Sequence, residues 1–210
     1  MANSRPLTKS KLTAIMVAVN LLLLGVSFSG EASEYQSQSA QYLGLGLSRL
    51  SVNSKHPSIK DQSITGVSLL YGLQSHNHVF ELSIAGGSGI DVGPTPDIYY
   101  PEDSADFSSI TLSYQYQLRD LRLTQNVFPY LGLGYSINSF NWDTYVYDHS
   151  GDGLTMIAGL AFHLEKNWAV NCTFRRYSFS GKRLFFTEGD YPAYDTEVSE
   201  VAVILEYLFL

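Results

Sequence analysis

The sequence predicts an all-β fold, namely an eight-stranded antiparallel up-and-down transmembrane β-barrel that follows an N-terminal signal peptide. Three observations lead to this prediction. Eight segments alternate apolar residues with small or polar ones, with the period of two that strands produce. The links between these segments differ in length in a regular rhythm. The polar faces consist mainly of Gly, Ser, Thr and Ala, whereas water-exposed surfaces are rich in charged residues.

The N-terminus has the pattern of a secretory signal. Three basic residues precede an almost wholly apolar run over residues 12–28, and small residues precede a cleavage position after Ala32. We therefore predict that residues 1–32 are a signal peptide and that residues 33–210 form the barrel domain. An uncleaved membrane anchor is the alternative, although the apolar run is short for a bilayer-spanning helix.

The eight alternating segments are placed by their large apolar residues. Short links follow the second and sixth segments, and long links follow the first, third, fifth and seventh. Up-and-down membrane barrels have short periplasmic turns and long outer loops, and an even strand number brings both termini to the periplasmic side. The predicted strands are residues 42–50, 64–73, 79–86, 109–117, 128–138, 154–163, 168–177 and 201–209.

The direction of the apolar faces distinguishes a membrane barrel from a soluble β-domain, which alternation alone leaves open. In a membrane barrel the apolar face points outward to lipid, and small residues fit the crowded lumen of eight strands. Aromatic residues also lie near the ends of the apolar faces, where membrane barrels carry aromatic girdles. We therefore predict lipid-facing apolar faces and a closed sheet, because an open edge in lipid leaves backbone groups unpaired. The aromatic residues are Tyr71, Tyr116, Tyr135, Tyr207 and Phe209.

Charge and cysteine content narrow the function classes. The formal net charge of −7 argues against a nucleic-acid partner, because phosphate binding needs clustered Lys and Arg. Cys172 is the single cysteine of the sequence, so an intrachain disulfide is excluded. The acidic loops lack the EF-hand spacing, and His76 and His78 have no third ligand nearby in sequence. We expect neither a metal site nor a cofactor.

Two stretches carry a family resemblance. Residues 129–135 (PYLGLGY) resemble the fifth strand of small bacterial outer-membrane β-barrel domains of the OmpA-like, OmpX-like and opacity-protein kind. Residues 156–168 resemble the strand–turn–strand that follows it. These families usually end on an aromatic residue, whereas here Leu210 follows Phe209. The resemblance implies the outer membrane as the location after export. It implies the barrel-assembly machinery, outer-membrane lipid and lipopolysaccharide as partners, with an extracellular ligand of the loops as a further one.

Charged residues on the inward faces predict an interior network. Glu81, Arg175 and Glu206 fall on the inward faces of the third, seventh and eighth segments. A buried charge must be paired, so we expect Arg175 to form salt bridges with these carboxylates, with His163 as a further member. The network acts as a structural plug, because narrow barrels are filled by side chains. A gate or an ion path is the alternative.

Two arginines on the outward faces predict a lipid contact. Arg49 and Arg176 lie at the outer ends of their segments, where the guanidinium either binds lipopolysaccharide phosphates or extends into the interface. The stretch Arg176-Tyr177-Ser178 lies where lipid A deacylase barrels carry a His-x-Ser pair. Because Arg does not act as a neutral base for a Ser nucleophile, this departure argues against that activity.

The outer loops supply the remaining candidates, because acidic and aromatic side chains there suit a host ligand, a glycan or a divalent cation. A solvated loop whose charges only keep it soluble is the alternative. We expect a non-enzymatic protein that serves envelope integrity or surface interaction through these loops. A narrow pore or a conduit for hydrophobic solutes is the alternative, and a lipid A-modifying enzyme is the third. A pore needs an open lumen along Gly44, Gly46, Gly132 and Gly134. The loop candidates are Tyr99, Tyr100, Asp103, Trp142, Tyr145 and Phe185.

Overall fold

The eight predicted strands form a closed antiparallel barrel in sequential order, in which the first strand also pairs with the last. The computed structural model describes residues 39–55, 59–93, 103–121, 123, 126–142, 148–165, 167–184 and 194–209. The strands are β1 (Ser39–Ser54), β2 (Gln62–Ser75), β3 (His78–Val92), β4 (Asp103–Gln117), β5 (Val127–Trp142), β6 (Asp148–Glu165), β7 (Trp168–Leu184) and β8 (Tyr194–Phe209). The predicted fold class is therefore confirmed. The predicted signal peptide lies outside the described residues.

One end of the barrel holds both chain termini of the described strands, and we call it the periplasmic end. Two of its three links are two residues long, between β2 and β3 and between β6 and β7. The third link holds a 3-10 turn over Arg119–Leu121 and is as long as the links at the opposite end. The predicted contrast between short and long links therefore applies to two of the three periplasmic links. We call the opposite end the outer end.

The exterior of the barrel is apolar over its lower part, which we call the membrane-level segment. Leu45 and Leu47 on β1 are 66% and 70% exposed, and each of the seven remaining strands also presents apolar side chains to the outside at this level. The outward direction of the apolar faces is therefore as predicted. Aromatic rings concentrate at the periplasmic end, where Tyr207 packs edge-on against Trp168 and Phe209. Tyr135 is an exception to the predicted girdle, because β5 continues for seven residues beyond it.

The strands continue above this apolar exterior into what we call the outer segment, where the outward face changes from apolar to polar. Outward residues become polar, as at Arg49, Ser51 and Asn53 of β1. Apolar side chains face inward in both segments, and in the outer segment aromatic rings meet in the lumen, with Phe107 and Phe140 centred 5.3 Å apart. We call this set the outer cluster; its members are Leu50, Val52, Ile59, Ile64, Ile90, Val92, Ala105, Phe107, Phe140, Tyr177, Phe179 and Val198.

The outer segment corrects several loop boundaries. Residues 141–153 were predicted as a loop, yet β5 continues to Trp142 and β6 begins at Asp148. Asp103 likewise begins β4 instead of belonging to the loop before it. The links that remain are residues 55–61, 93–102, 143–147 and 185–193. Among the described residues, no helix has the length and apolar character needed to cross a bilayer.

The barrel wall has a break between β2 and β3 at the outer end, which we call the seam. The β2–β3 ladder stops at Gly66 and Gly87, and above it a single bridge joins Ile59 to Val92. β3 also shifts register on its other side between Gly87 and Ile90. The Gln62 side chain replaces the missing pairing. Its amide donates to the Asp91 carbonyl at 3.1 Å and accepts from the Asp91 amide at 3.0 Å. The side chain thus imitates a peptide group and holds the two strands together.

Candidate functional site

An ion-pair layer crosses the lumen in the membrane-level segment. Arg175 on β7 places Nη2 2.9 Å from Oε1 of Glu81 and Nη1 3.4 Å from Oε2 of Glu200. Glu200 is the direct cross-strand neighbour on β8, whereas Glu81 lies on β3, half the circumference away. All three side chains are at least 97% buried. The guanidinium therefore bridges opposite walls and obstructs the lumen.

Two tyrosines complete this layer. The Tyr177 hydroxyl donates to Oε2 of Glu200 at 2.5 Å, and the Tyr42 hydroxyl donates to Oε2 of Glu81 at 3.0 Å. Each carboxylate is therefore held by a guanidinium and a phenol. Hydrogen bonds of this kind offset the loss of hydration that buried charges suffer. The layer therefore holds paired charges inside the barrel, while Nε of Arg175 and Oε1 of Glu200 are buried without a partner in the protein.

The membership of the layer differs from the predicted network. The structure brings Glu81 and Arg175 together as expected, but Glu206 accepts from Asn171 at 2.5 Å instead. His163 lies elsewhere, with its ring against Phe128 near the periplasmic end, so its assignment to the network needs correction.

Glu200 was missed because the eighth strand was predicted to begin one residue after it. Ala202, Ile204 and Glu206 all point inward, so continuing their period of two by one step identifies Glu200.

The lumen is filled at the glycines that a pore would need. A Cβ atom at Gly44 would lie 2.5 Å from Cδ1 of Leu70, because that side chain already occupies the space. The same holds at Gly46, Gly132 and Gly134, where the nearest side-chain atoms would be 2.6–2.9 Å away. Inward side chains of one strand, from Ser68 to Leu70 and Gln115 in size, thus pack over glycines of its neighbours, as close packing requires. The outer cluster fills the lumen above this level.

The exterior of the outer segment carries mixed charges. Arg176 points outward and contacts Oε2 of Glu197 at 2.5 Å, with both side chains 47% exposed. Arg49 lies on β1 between the last apolar and the first polar outward residue. Lys55 contacts Asp195 at 2.8 Å, and this carboxylate raises the pKa of the Lys55 ammonium. Both predicted lipid-contact arginines therefore lie at the boundary between the two segments.

A groove of about 520 Å³ with both polar and apolar walls opens beside these ion pairs, on the outside of β6, β7, β8 and β1. We call it the outer groove. Its walls combine carboxylates, an ammonium and hydroxyl groups, a set that suits hydrogen bonding to hydroxyl-rich ligands. The polar residues that line it include Asn53, Lys55, Asp152, Ser180, Asp195 and Glu197. Sequence reasoning missed this groove because these residues are distant in sequence and were assigned to loops or strand ends.

The remaining candidates are placed as follows. Tyr99, Tyr100, Tyr145 and Phe185 lie outside the described residues. Asp103 and Trp142 are strand residues at the outer end, as stated above. Within the described part of the chain, no three His, Cys, Asp or Glu side chains cluster so as to hold a metal ion. In the stretch compared with the deacylase motif, Arg176 and Ser178 face outward and Tyr177 faces inward.

Comparison with known proteins agrees with this architecture. The family model described as outer membrane protein β-barrel domain matches residues 20–209. No sequence among the curated proteins is significantly similar. Among solved structures, Neisserial surface protein A aligns with a TM-score of 0.60 at 16% identity, over 81% of this chain and 99% of that one. OprG of Pseudomonas aeruginosa aligns with a TM-score of 0.56 at 15% identity, over 83% and 97%.

A third structure is Ail, the attachment invasion locus protein of Yersinia pestis, in complex with the heparin analogue sucrose octasulfate. It aligns with a TM-score of 0.53 at 16% identity, over 82% of this chain and 99% of that one. At these identities the likeness establishes the fold, and the ligand of that complex belongs to Ail alone.

Proposed function

Because this chain belongs to the outer-membrane β-barrel domain family, we propose that it is a non-enzymatic, non-conducting barrel that acts at the cell surface through its outer end. Its role is either to support the integrity of the envelope or to bind an extracellular ligand. Outer-membrane lipid and the barrel-assembly machinery are the partners that this role requires.

The observation that carries the proposal is the filled lumen. Arg175 bridges opposite walls through Glu81 and Glu200, and the outer cluster packs above it. A continuous water column has to pass both layers, and the upper one is lined mainly by apolar side chains, which do not replace the hydration of an ion. The side chains left for interaction are then those outside the barrel and above the membrane, including the outer groove.

Conductance in a planar bilayer tests the first part. We expect no current steps from the folded wild-type protein. As a control, Phe107→Ala together with Phe140→Ala removes two rings from the outer cluster, and any current through the lumen should rise in that variant. Stable current steps from the wild type at neutral pH would contradict a closed lumen.

Complementation of a deletion strain separates the two surface roles. The strain is challenged with bile salts and tested for adhesion to host cells, and then receives either the wild type or a variant in which Gly and Ser replace residues 94–102 and 185–190. If the loop variant restores resistance but not adhesion, the loops bind a ligand. If neither phenotype depends on the protein, the surface role is rejected.

Passage of an apolar solute is the second candidate function, and the seam favours it. A solute in the outer cluster cannot continue down the lumen, because the ion-pair layer obstructs it. The seam offers a lateral path through the barrel wall instead. It opens just above the apolar exterior that begins with Val67 on β2. The Gln62 amide and the Ile59–Val92 bridge close this route. Gln62→Ala should then speed entry of an apolar fluorescent probe into vesicles relative to the wild type, with Gln74→Ala at the periplasmic end as the control. Equal rates for the three proteins would exclude the seam as a route.

A further inference from the structure

A second groove lies on an apolar surface, within the lipid-facing exterior of the membrane-level segment. It has a volume of about 520 Å³ and almost wholly apolar walls across β4, β5, β6 and β7. We call it the lipid-facing groove. It is separate from the outer groove and from the loops, and the proposed surface role does not use it.

Strand register explains how the groove forms. Tyr114, Leu133 and Met156 are successive cross-strand neighbours and form its upper ridge. Leu131, Ala158 and Phe174 are likewise successive neighbours and form its lower ridge. The floor is Gly132 and Ile157, which lie between the ridges in sequence.

The short Ala158 side chain lowers the second ridge between two large residues. Leu131 and Phe174 on either side of it are 57% and 43% exposed. A larger side chain at Ala158 would fill the depression between them.

The groove is oblique to the membrane and ends at a cation. Strands of a barrel tilt by roughly 35–45°, so a row of cross-strand neighbours climbs as it passes from one strand to the next. The upper ridge continues from Met156 to its β7 neighbour Arg176. Arg176 lies at the boundary where outward residues become polar, so the groove descends from the headgroup level into the hydrocarbon.

We infer that the lipid-facing groove binds one acyl chain of an outer-leaflet lipopolysaccharide molecule, with a phosphate of the same molecule at Arg176. The apolar walls match the chain, and the guanidinium at the upper end matches the anion. Glu197 engages Nη2 of Arg176, and a guanidinium has five N–H donors, so donors remain for a phosphate oxygen.

Native mass spectrometry of the whole folded barrel in detergent tests the inference. Rough lipopolysaccharide is titrated against the delipidated protein, and phosphatidylglycerol is titrated in parallel. We expect one tightly retained lipopolysaccharide molecule. Ala158→Phe should weaken its retention by at least about tenfold, the ratio that withdrawing about two buried methylene groups produces. Val203→Phe makes a comparable change in the apolar exterior on β8 and should leave retention unchanged.

Further arms make the test decisive. Altered gel mobility on heating verifies that each variant is folded, and Ala158→Leu replaces Ala158→Phe if the larger residue prevents folding. Arg176→Gln should weaken lipopolysaccharide binding as well. Equal retention by wild type and Ala158→Phe overturns the inference, as does preferential retention of phosphatidylglycerol. A wild-type dimer that Ala158→Phe converts to a monomer also overturns it, because the groove is then an interface between copies.

Discussion

The membrane-level segment and the outer segment are built from the same eight strands, yet the outward face is apolar in the first and polar in the second. Below, Leu45 and Leu47 point outward and the lumen holds Arg175. Above, Arg49 and Ser51 point outward and Leu50 belongs to the outer cluster. The strand period is unchanged across the boundary, so the solvent outside decides which face is apolar. Lipid requires apolar side chains outside, and water allows them to be buried inside.

The largest effect is expected from breaking the charged layer of the membrane-level segment. Arg175→Met should lower the free energy of unfolding by about 3–5 kcal/mol, because Glu81 and Glu200 remain buried without a cation. Urea-induced unfolding in lipid vesicles, followed by tryptophan fluorescence, measures this. The triple variant with Glu81→Gln and Glu200→Gln has no buried charge left in the layer and should recover most of the loss. If Arg175→Met alone is as stable as the wild type, the role assigned to this layer is wrong.

The next effect concerns the apolar interior of the outer segment. Phe140→Ala should lower the free energy of unfolding by about 3 kcal/mol, because the ring is fully buried against Phe107 and leaves a cavity. The matched control is Leu133→Ala on the lipid-facing exterior, where acyl chains take the vacated space. Its loss should be clearly smaller. Equal losses from the two variants would mean that the outer cluster is not packed as a core.

Two substitutions to arginine on the same face of β1 locate the boundary between the segments. Leu45→Arg places a charge in the middle of the apolar exterior and should cost about 2 kcal/mol of folding free energy. Ser51→Arg, on the same face of β1 six residues further along, should be nearly neutral because its side chain is in water. Folding titrations in phospholipid vesicles give both values. If the two variants are equally destabilised, lipid extends over the outer segment and the boundary is misplaced.

The smallest effect is expected at the exposed ion pairs. Lys55→Gln should leave the unfolding transition unchanged at neutral pH, because solvent-exposed ion pairs contribute little. Since Asp195 raises the pKa of Lys55, any contribution is present below the pKa of the unfolded chain and is lost as the pH rises through the folded value. A pH series of thermal unfolding for both proteins measures this. A marked loss at neutral pH would show that the outer groove is a structural element.

The change of the outward face from apolar to polar also explains which parts of the strands the sequence predicts correctly. Alternation located all eight strands, because large apolar residues recur at every second position in the membrane-level segment. The predicted strands are too short at the outer end, where odd-numbered strands end and even-numbered strands begin. The reason is that the large apolar residues change parity at the boundary. On β1 they pass from Leu43, Leu45 and Leu47 to Leu50 and Val52, which looks like the end of a strand.

The site was only partly accessible from sequence. Arg175 and Glu81 were identified because a charge on an inward face needs a partner, and parity reveals the face. Which carboxylate faces Arg175 depends on register and on the width of the lumen, and neither can be read from one strand. The lipid-facing groove depends on neighbours across four strands, so Ala158 is inconspicuous in the sequence.

The length of the outer segment determines how far the outer end of the barrel extends above the bilayer. From Leu47 to Asn53, β1 rises by roughly 15 Å along the membrane normal, given about 3.4 Å per residue and a tilt of about 40°. The hydrogen-bonded ladder with β8 continues over this whole distance. The barrel therefore stands as a stiff pedestal above the lipid headgroups. The links at the outer end are therefore held well above the apolar exterior that begins at Leu47.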